Sequence, residues 1–229
     1  MHKKKIIVVG AGSGIGKALF ERVRKTNDSD VYGLSRRGES FSNKFQSGLN
    51  YRCDVTNEGD IHNFFYKYQE SNKTLDALFL CQGDGLFGEI EKIDRLSLEK
   101  HFQLNLFSQF SILQFAYPLL RISDHPFVCF LSSTAGKVGF PESTAYCASK
   151  HAVAGLAKSL REEWKKDNIR VMTVYPGAIS TSIWEGREGF DQNDMIAPED
   201  FAEYLASFIT LPKTINLDES YVLPQKGIL

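Results

Sequence analysis

Short runs of apolar residues alternate with longer amphipathic stretches along most of the chain. Most of these apolar runs have the length and the β-branched or aromatic content of buried strands. The predicted strands are KIIVV, VYGLS, LNYRC, DALFLC, FVCFLSS, IRVMTVY and a short closing strand at residues 220–223. The stretches between them repeat at helical spacing and predict helices at residues 14–25, 57–70, 97–120, 146–165 and 198–209.

This alternation of strands and helices predicts the fold class. Nearly continuous apolar strands separated by helices indicate a parallel sheet that is covered on both faces. We therefore expect an α/β protein, with residues 1–229 forming one Rossmann-like domain around a doubly wound parallel sheet of about seven strands. Residues 179–197 contain glycine and charge but little periodicity, and we expect them to form a substrate lid.

Composition and charge limit the binding partners and the cellular location that we expect for this protein. The 229 residues are 42% hydrophobic and 24% charged, with a net charge of -1, so we expect no nucleic-acid binding. No stretch approaches the roughly 20 apolar residues that a membrane span needs. The apolar run in the opening MHKKKIIVVG is short for a signal peptide, and we expect a cytoplasmic protein.

Cysteine and histidine spacing favours neither disulfides nor a metal site. The cysteines lie far apart without a CxxC pair, and we expect reduced, buried thiols at positions 53, 81, 129 and 147. The histidines form no HxxxH or HExxH spacing. We therefore predict no bound metal.

A glycine-rich turn follows the first predicted strand and opens the first predicted helix. Its residues are Gly10, Ala11, Gly12, Ser13, Gly14, Ile15 and Gly16. Backbone N–H groups and the positive end of the helix dipole make such a turn a binding site for a pyrophosphate. A tight turn without any ligand is the alternative. The position of the turn between strand and helix favours a dinucleotide cofactor.

The end of the second predicted strand discriminates between the two nicotinamide cofactors. An acidic residue at this point would accept hydrogen bonds from the adenosine ribose and repel a 2′-phosphate. This chain has Ser35, Arg36 and Arg37 instead, and arginine donates to phosphate in a fork. NADP(H) is therefore favoured over NAD(H), with Arg36 the better candidate and two solvated arginines the alternative.

A tyrosine and a lysine lie four residues apart in the YCASK segment, on the same face of a predicted helix. The spacing of Tyr146 and Lys150 alone is common in ordinary helices. Ser133 changes this interpretation, because it ends the preceding strand at the edge where open parallel sheets bind ligands. The three side chains are therefore expected to converge beside a bound nicotinamide.

At these positions the chain resembles the classical short-chain dehydrogenase/reductase family over nearly its whole length. The matching motifs are the glycines Gly10, Gly14 and Gly16, the serine Ser133 thirteen residues before Tyr146 and Lys150, the later Pro176 and Gly177 with Thr181, and Asn105 within HFQLNLFSQF. Two departures are Val9 in place of a threonine and Leu80-Cys81-Gln82-Gly83 in place of NNAG. We expect both departures to change the packing of the cofactor cleft.

The resemblance implies a set of site residues. The catalytic residues would be Asn105, Ser133, Tyr146 and Lys150. The cofactor would contact Gly10, Gly12, Ser13, Gly14, Ile15, Gly16, Ser35, Arg36, Arg37, Asp54, Val55, Gly83, Tyr146, Lys150, Pro176, Gly177, Ile179 and Thr181. Substrate contacts are expected in residues 84–87, 134–141 and 182–190.

The resemblance also implies hydride transfer between NADP(H) and a small-molecule carbonyl or alcohol, with Tyr146 as the general acid/base. A cation about 4 Å away contributes about 4 kcal/mol at an effective dielectric constant of about 20, so a downward shift of the Tyr146 pKa by about two units is physically reachable, and Lys150 can supply that cation. Ser133 would bind the substrate oxygen, and Asn105 would hold a water that links Lys150 to solvent. A redox-sensing protein, or an epimerase or dehydratase on the same fold, are the alternatives.

The family is often dimeric or tetrameric through the helices that carry Asn105 and Tyr146, so the resemblance implies a homodimer or homotetramer. The apolar residues Phe102, Phe107 and Phe110 fit a buried helix face. That face would be covered either by the core or by a second subunit.

Overall fold

The computed structural model describes residues 3–26, 28–41, 45–187 and 189–228. Residues 1, 2, 27, 42–44 and 229 of the predicted domain lie outside these ranges, as does Glu188 of the predicted lid. All of the predicted catalytic and cofactor-binding residues are described.

The described residues contain seven parallel strands in one sheet. The strands are β1 (Lys4–Val9), β2 (Ser29–Ser35), β3 (Asn50–Arg52), β4 (Ala77–Leu80), β5 (Phe127–Leu131), β6 (Arg170–Pro176) and β7 (Glu219–Val222). Their order is β3-β2-β1-β4-β5-β6-β7, so the chain reverses direction across the sheet between β1 and β4. This order confirms the predicted doubly wound α/β fold and opens a crevice at the carboxyl ends of β1 and β4.

Helices cover both faces of the sheet, each over its own apolar core. The helices are α1 (Gly14–Arg24), α2 (Glu58–Ser71), α3 (Arg95–Phe102), α4 (Ser108–Leu120), α5 (Thr144–Trp164) and α6 (Pro198–Ser207). Leu19 of α1 and Phe201 of α6 pack in one core, and Phe64 of α2, Ile112 of α4 and Val153 of α5 pack in the other. Strands buried on both faces explain why their sequences read as apolar runs.

Polar side chains fix the starts of two helices. Asn57 accepts a hydrogen bond from Asp60 N at 3.2 Å before α2, and Asp94 accepts one from Ser97 N at 2.9 Å before α3. These contacts satisfy backbone N–H groups that have no partner within the first turn of a helix. The second cap explains why α3 begins at Arg95, slightly before the predicted start.

The apolar face of the region around α4 is partly exposed in the single chain. Phe107 and Phe110 retain 51% and 52% of their accessible surface, so the alternative that they pack in the core is wrong. Exposed aromatic rings of this kind are compatible with a subunit contact. A homodimer or homotetramer stays a prediction.

The cysteines are free thiols, as predicted. Cys53, Cys129 and Cys147 are buried, whereas Cys81 is half-buried and lines the main cleft. Within the described part of the chain, no group of three histidine, cysteine or acidic side chains is arranged to hold a metal. No helix in that part is long and apolar enough to cross a membrane.

Candidate active site

A cleft of about 1160 Å³ lies at the carboxyl ends of the strands. Of the predicted catalytic and cofactor-binding residues, all but Gly16 and Asn105 line this cleft. Gly16 lies behind the glycine turn, where an added Cβ would collide with the Gly10 carbonyl, and Asn105 lies beneath Gly83. The topology therefore brings together residues that are spread over most of the sequence.

The glycine turn keeps the backbone close to the first helix and to β4. Gly10 has a φ of 84°, and a Cβ there would lie 2.8 Å from Gln82 N, so a larger residue would force strand and turn apart. Within the described chain, the Ser13 side chain makes no capping hydrogen bond at the start of α1. The first N–H groups of α1 are thus available to an anion at the helix N-terminus.

The adenosine end of the predicted cofactor site is lined by polar and cationic groups. Ser35 ends β2, and its Oγ accepts a hydrogen bond from Asn50 Nδ2 at 2.9 Å. The side chains of Arg36 and Arg37 are exposed at the rim of the cleft. Asp54 accepts hydrogen bonds from the backbone N and the hydroxyl of Thr56, which orders this rim. Val55 is buried beside it.

Asn105 lies in a π-helical segment, Gln103–Phe107, that interrupts the helix predicted for residues 97–120. Ser108 N donates to Gln103 O across this wider turn. The Asn105 side chain accepts a hydrogen bond from Asp84 N and donates to Asp84 O, both at 2.9 Å. Because both contacts are to backbone atoms, they fix the loop after β4 in place, and Asn105 itself is fully buried.

Two buried polar residues that are not among the predicted site residues, His101 and Ser149, support Asn105. Asn105 Nδ2 lies 3.2 Å from both His101 Nε2 and Ser149 Oγ, and these two atoms are 3.0 Å apart. Burial, followed by the charge of Lys150, lowers the pKa of His101 to about 4, so the imidazole is neutral at pH 7. The only signal in the sequence is that His101 precedes Asn105 by one helical turn.

Ser133 and Tyr146 lie close together in the cleft. Ser133 follows β5, and its Oγ accepts a hydrogen bond from Ala135 N at 3.1 Å. Tyr146 lies near the start of α5, and its ring centroid is 5.1 Å from that of Phe87. The Phe87 ring, from the loop after β4, therefore forms part of the wall beside the tyrosine.

Lys150 is buried, with 6% of its surface accessible, and its Nζ donates to Leu131 O at 3.1 Å. Lys150 is therefore removed from solvent, unlike an ordinary lysine on a helix surface. Burial lowers its pKa to about 8. A Cβ added at Gly83 would lie 3.4 Å from both Lys150 Nζ and Asn105 Oδ1, so Gly83 leaves space where these two side chains meet.

The predicted lowering of the Tyr146 pKa by Lys150 is wrong for the protein chain itself. Burial raises the pKa of Tyr146 to about 12, while the neighbouring Ser133 hydroxyl and the charge of Arg187 lower it to a smaller extent. The Lys150 ammonium lies 5.6 Å from the centre of the tyrosine ring and is itself desolvated. Removal from water is therefore the dominant effect on the Tyr146 pKa, and Lys150 is not among the groups that lower it.

The segment Leu80-Cys81-Gln82-Gly83, which stands in place of NNAG at the end of β4, is held by side-chain hydrogen bonds to the region of α4. Gln82 is buried, and its Nε2 donates to Ser108 Oγ at 3.4 Å, while Ser108 Oγ donates to Leu104 O at 2.6 Å. The glutamine thus connects the sheet to the start of α4. Val9, the other departure, ends β1. Its carbonyl accepts a hydrogen bond from Cys81 N at 3.1 Å, which joins the end of β1 to the end of β4.

The segment after β6 begins with several fixed contacts. Gly177 N donates to Val222 O, and Ile179 pairs with Ile196 in an isolated bridge. The Thr181 methyl would lie 3.3 Å from a Cβ at Gly14, so Thr181 is positioned over the glycine turn. Both ends of the predicted lid are therefore anchored, while its central part lines the cleft.

Comparisons with known proteins agree with this arrangement. Residues 4–190 match the family described as short chain dehydrogenase. A 3-ketodihydrosphingosine reductase of Dictyostelium discoideum is 29% identical over 86% of this chain, which spans 64% of that relative. A sepiapterin reductase of Chlorobaculum tepidum is 25% identical over 97% of this chain and 96% of the relative. An alcohol dehydrogenase of the archaeon Thermococcus sibiricus, solved with 5-hydroxy-NADP, has a TM-score of 0.84 at 18% identity, covering 100% of this chain and 99% of that structure.

The chain belongs to the short-chain dehydrogenase family and is an NAD(P)-dependent oxidoreductase. The likeness to the archaeal structure adds support for the fold alone.

Proposed function

We propose that the protein is an NADP(H)-dependent reductase of small-molecule carbonyls, with Tyr146 as the general acid/base. The observation that carries this proposal is the position of Tyr146, Ser133 and Lys150 in the same cleft as the glycine turn. The free N–H groups at the start of α1 fit a pyrophosphate, so the residues present fit a dinucleotide. A bound nicotinamide would supply a hydride to the carbonyl carbon.

The protein supplies the proton and the orientation of the substrate. Tyr146 donates its phenolic proton to the carbonyl oxygen, which becomes the hydroxyl of the product alcohol. A pKa raised to about 12 keeps Tyr146 protonated at neutral pH, which suits an acid in the reducing direction. Ser133 would hold the carbonyl oxygen through a hydrogen bond. Lys150 and Asn105, which meet at Gly83, would return a proton to Tyr146 through a water.

Loss of absorbance of NADPH and of NADH, measured with a panel of aldehydes, ketones, quinones and acyl or sugar carbonyls, tests this function. We expect NADPH-dependent turnover of at least one class. Tight NADPH binding without turnover of any carbonyl would count against a reductase. The lid formed by residues 179–197 is part of the same proposal, because its central part lines the substrate end of the cleft.

Replacing Arg36 with alanine is expected to weaken NADPH binding by about 10-fold and to leave NADH binding nearly unchanged. The reason is that the exposed Arg36 guanidinium would contact only the 2′-phosphate, which NADH lacks. Dissociation constants from nucleotide fluorescence titrations measure the effect. Arg52→Ala is the matched control, since Arg52 is also exposed but does not line the cleft. An equal loss for both nucleotides would show that Arg36 does not select the phosphate.

A further inference from the structure

Arg187 projects from the predicted lid into a group of aromatic rings at the substrate end of the cleft. Its guanidinium carbon lies 4.0 Å from the ring centroid of Phe87, 4.9 Å from that of Trp184 and 5.1 Å from that of Phe190. The Trp184 and Phe190 rings are themselves 4.6 Å apart. Cation–π contacts of this kind hold a guanidinium in place.

This cation is close to the tyrosine proposed to transfer the proton. Phe87 contacts both Arg187 and Tyr146, whose ring centroid lies 5.1 Å from that of Phe87. The charge of Arg187 lowers the pKa of Tyr146 more than Asp84 raises it. Of these two charged groups, Arg187 therefore has the larger effect on the pKa of Tyr146.

The edge of the guanidinium carries donors that the rings do not satisfy. An arginine has five N–H donors in the plane of the guanidinium, and stacking on rings uses only its faces. Among the described residues, which leave out Glu188, no acceptor takes a hydrogen bond from the Arg187 side chain and no carboxylate pairs with it. By contrast, Arg22 pairs with Glu203 at the surface. The fork of Arg187 is thus held in place and half-buried.

We propose that Arg187 binds an oxyanion, a carboxylate or a phosphate, on the substrate, which is then a small carbonyl compound with an anionic group. The planar fork of arginine matches the geometry of these oxyanions. Asp84 and Glu142 line the same cleft and would repel further negative charge, which favours a substrate with one anionic group. This inference rests on the proposed reductase function.

Matched pairs of aldehydes test the inference by turnover. We compare 4-carboxybenzaldehyde and 4-formylphenyl phosphate with the neutral methyl 4-formylbenzoate, using NADPH oxidation by the intact protein. The wild type is expected to show kcat/KM at least 10-fold higher for one of the two anions than for the ester. The favoured anion distinguishes carboxylate from phosphate. Arg187→Met should bring the ratio near one, and Arg187→Lys should keep part of the preference.

Arg121→Met is the matched control. Arg121 also lies over an aromatic ring, 5.8 Å from the centroid of Tyr117, but it does not line the cleft. This variant should keep the wild-type ratio. The inference would be overturned if the ratio of kcat/KM values stayed unchanged in Arg187→Met, or if it were near one in the wild type. Turnover of the ester in either case would still support the reductase function.

A binding measurement separates the inference from the reductase function if no aldehyde is reduced. Calorimetric titration of the NADPH-saturated protein with 4-(hydroxymethyl)benzoate, 4-(hydroxymethyl)phenyl phosphate and methyl 4-(hydroxymethyl)benzoate requires no reaction. One of the anions should bind at least 10-fold more tightly than the ester in the wild type, and the difference should vanish in Arg187→Met. Equal affinities, or no detectable binding of any of them, would overturn the role of Arg187.

Discussion

Tyr146→Phe is expected to lower the rate of carbonyl reduction by about 10³-fold or more, with NADPH affinity changed less than about threefold. The substitution removes only the hydroxyl that donates the proton. The remaining ring still fills its place against Phe87, so the cleft should keep its shape. Single-turnover NADPH oxidation measures the loss, and fluorescence titration measures cofactor binding.

Tyr117→Phe is the matched control for this variant. Tyr117 donates a hydrogen bond to Asp167 at 2.7 Å and does not line the cleft, so its hydroxyl should not matter for turnover. If Tyr146→Phe kept turnover within about 10-fold of the wild type, another group would have to supply the proton. A parallel loss of NADPH binding would instead indicate that the hydroxyl organises the cofactor site.

The fold was predictable because local and tertiary requirements agree along most of the chain. Strands buried on both faces must be apolar throughout, and this requirement is visible in runs such as FVCFLSS. The glycine turn was also predictable, because its close approach to β4 excludes larger residues. The Gln103–Phe107 π segment was not predictable, since one wider turn leaves the composition and approximate periodicity of a helix unchanged.

The placement of the candidate site was predictable from the order of its motifs, but its electrostatics were not. Spacing puts Tyr146 and Lys150 on one helical face, but it does not predict how deeply the two side chains are buried. Burial is the main cause of both pKa shifts. The cation–π contacts of Arg187 depend on a contact between the loop after β4 and the predicted lid. No local pattern in the sequence predicts a contact between two segments that are distant along the chain.

Lys150→Met is expected to stabilise the fold while lowering reductase activity by at least about 100-fold. Lys150 is buried, and among the described residues its Nζ donates only to the Leu131 carbonyl, so at neutral pH the protein keeps a charge out of water. A pKa lowered from 10.5 to about 8 corresponds to a cost of about 3 kcal/mol, at about 1.4 kcal/mol per pKa unit. Loss of the hydrogen bond removes about 1 kcal/mol, so the net gain is about 2 kcal/mol.

The sign of the pH dependence makes this prediction specific. Below about pH 8 the lysine is charged in both the folded and the unfolded chain, so the full cost of burial is present. Between pH 8 and 10.5 the folded chain loses the proton first, and above 10.5 both states are neutral. The gain in stability from Lys150→Met should therefore be largest below pH 8 and fall as the pH rises, and above pH 10.5 only the lost hydrogen bond remains, which leaves the variant about 1 kcal/mol less stable than the wild type.

Urea unfolding at several pH values, combined with NADPH oxidation, measures both effects of this substitution. Lys158→Met is the matched control on α5, because Lys158 is exposed and lies 3.6 Å from Glu219 at the surface. It should change neither stability nor turnover appreciably. A Lys150→Met protein that is less stable at pH 7 would show that the lysine is mainly a structural support. A more stable protein with little activity would mean that the fold retains a destabilising charge because the chemistry requires it.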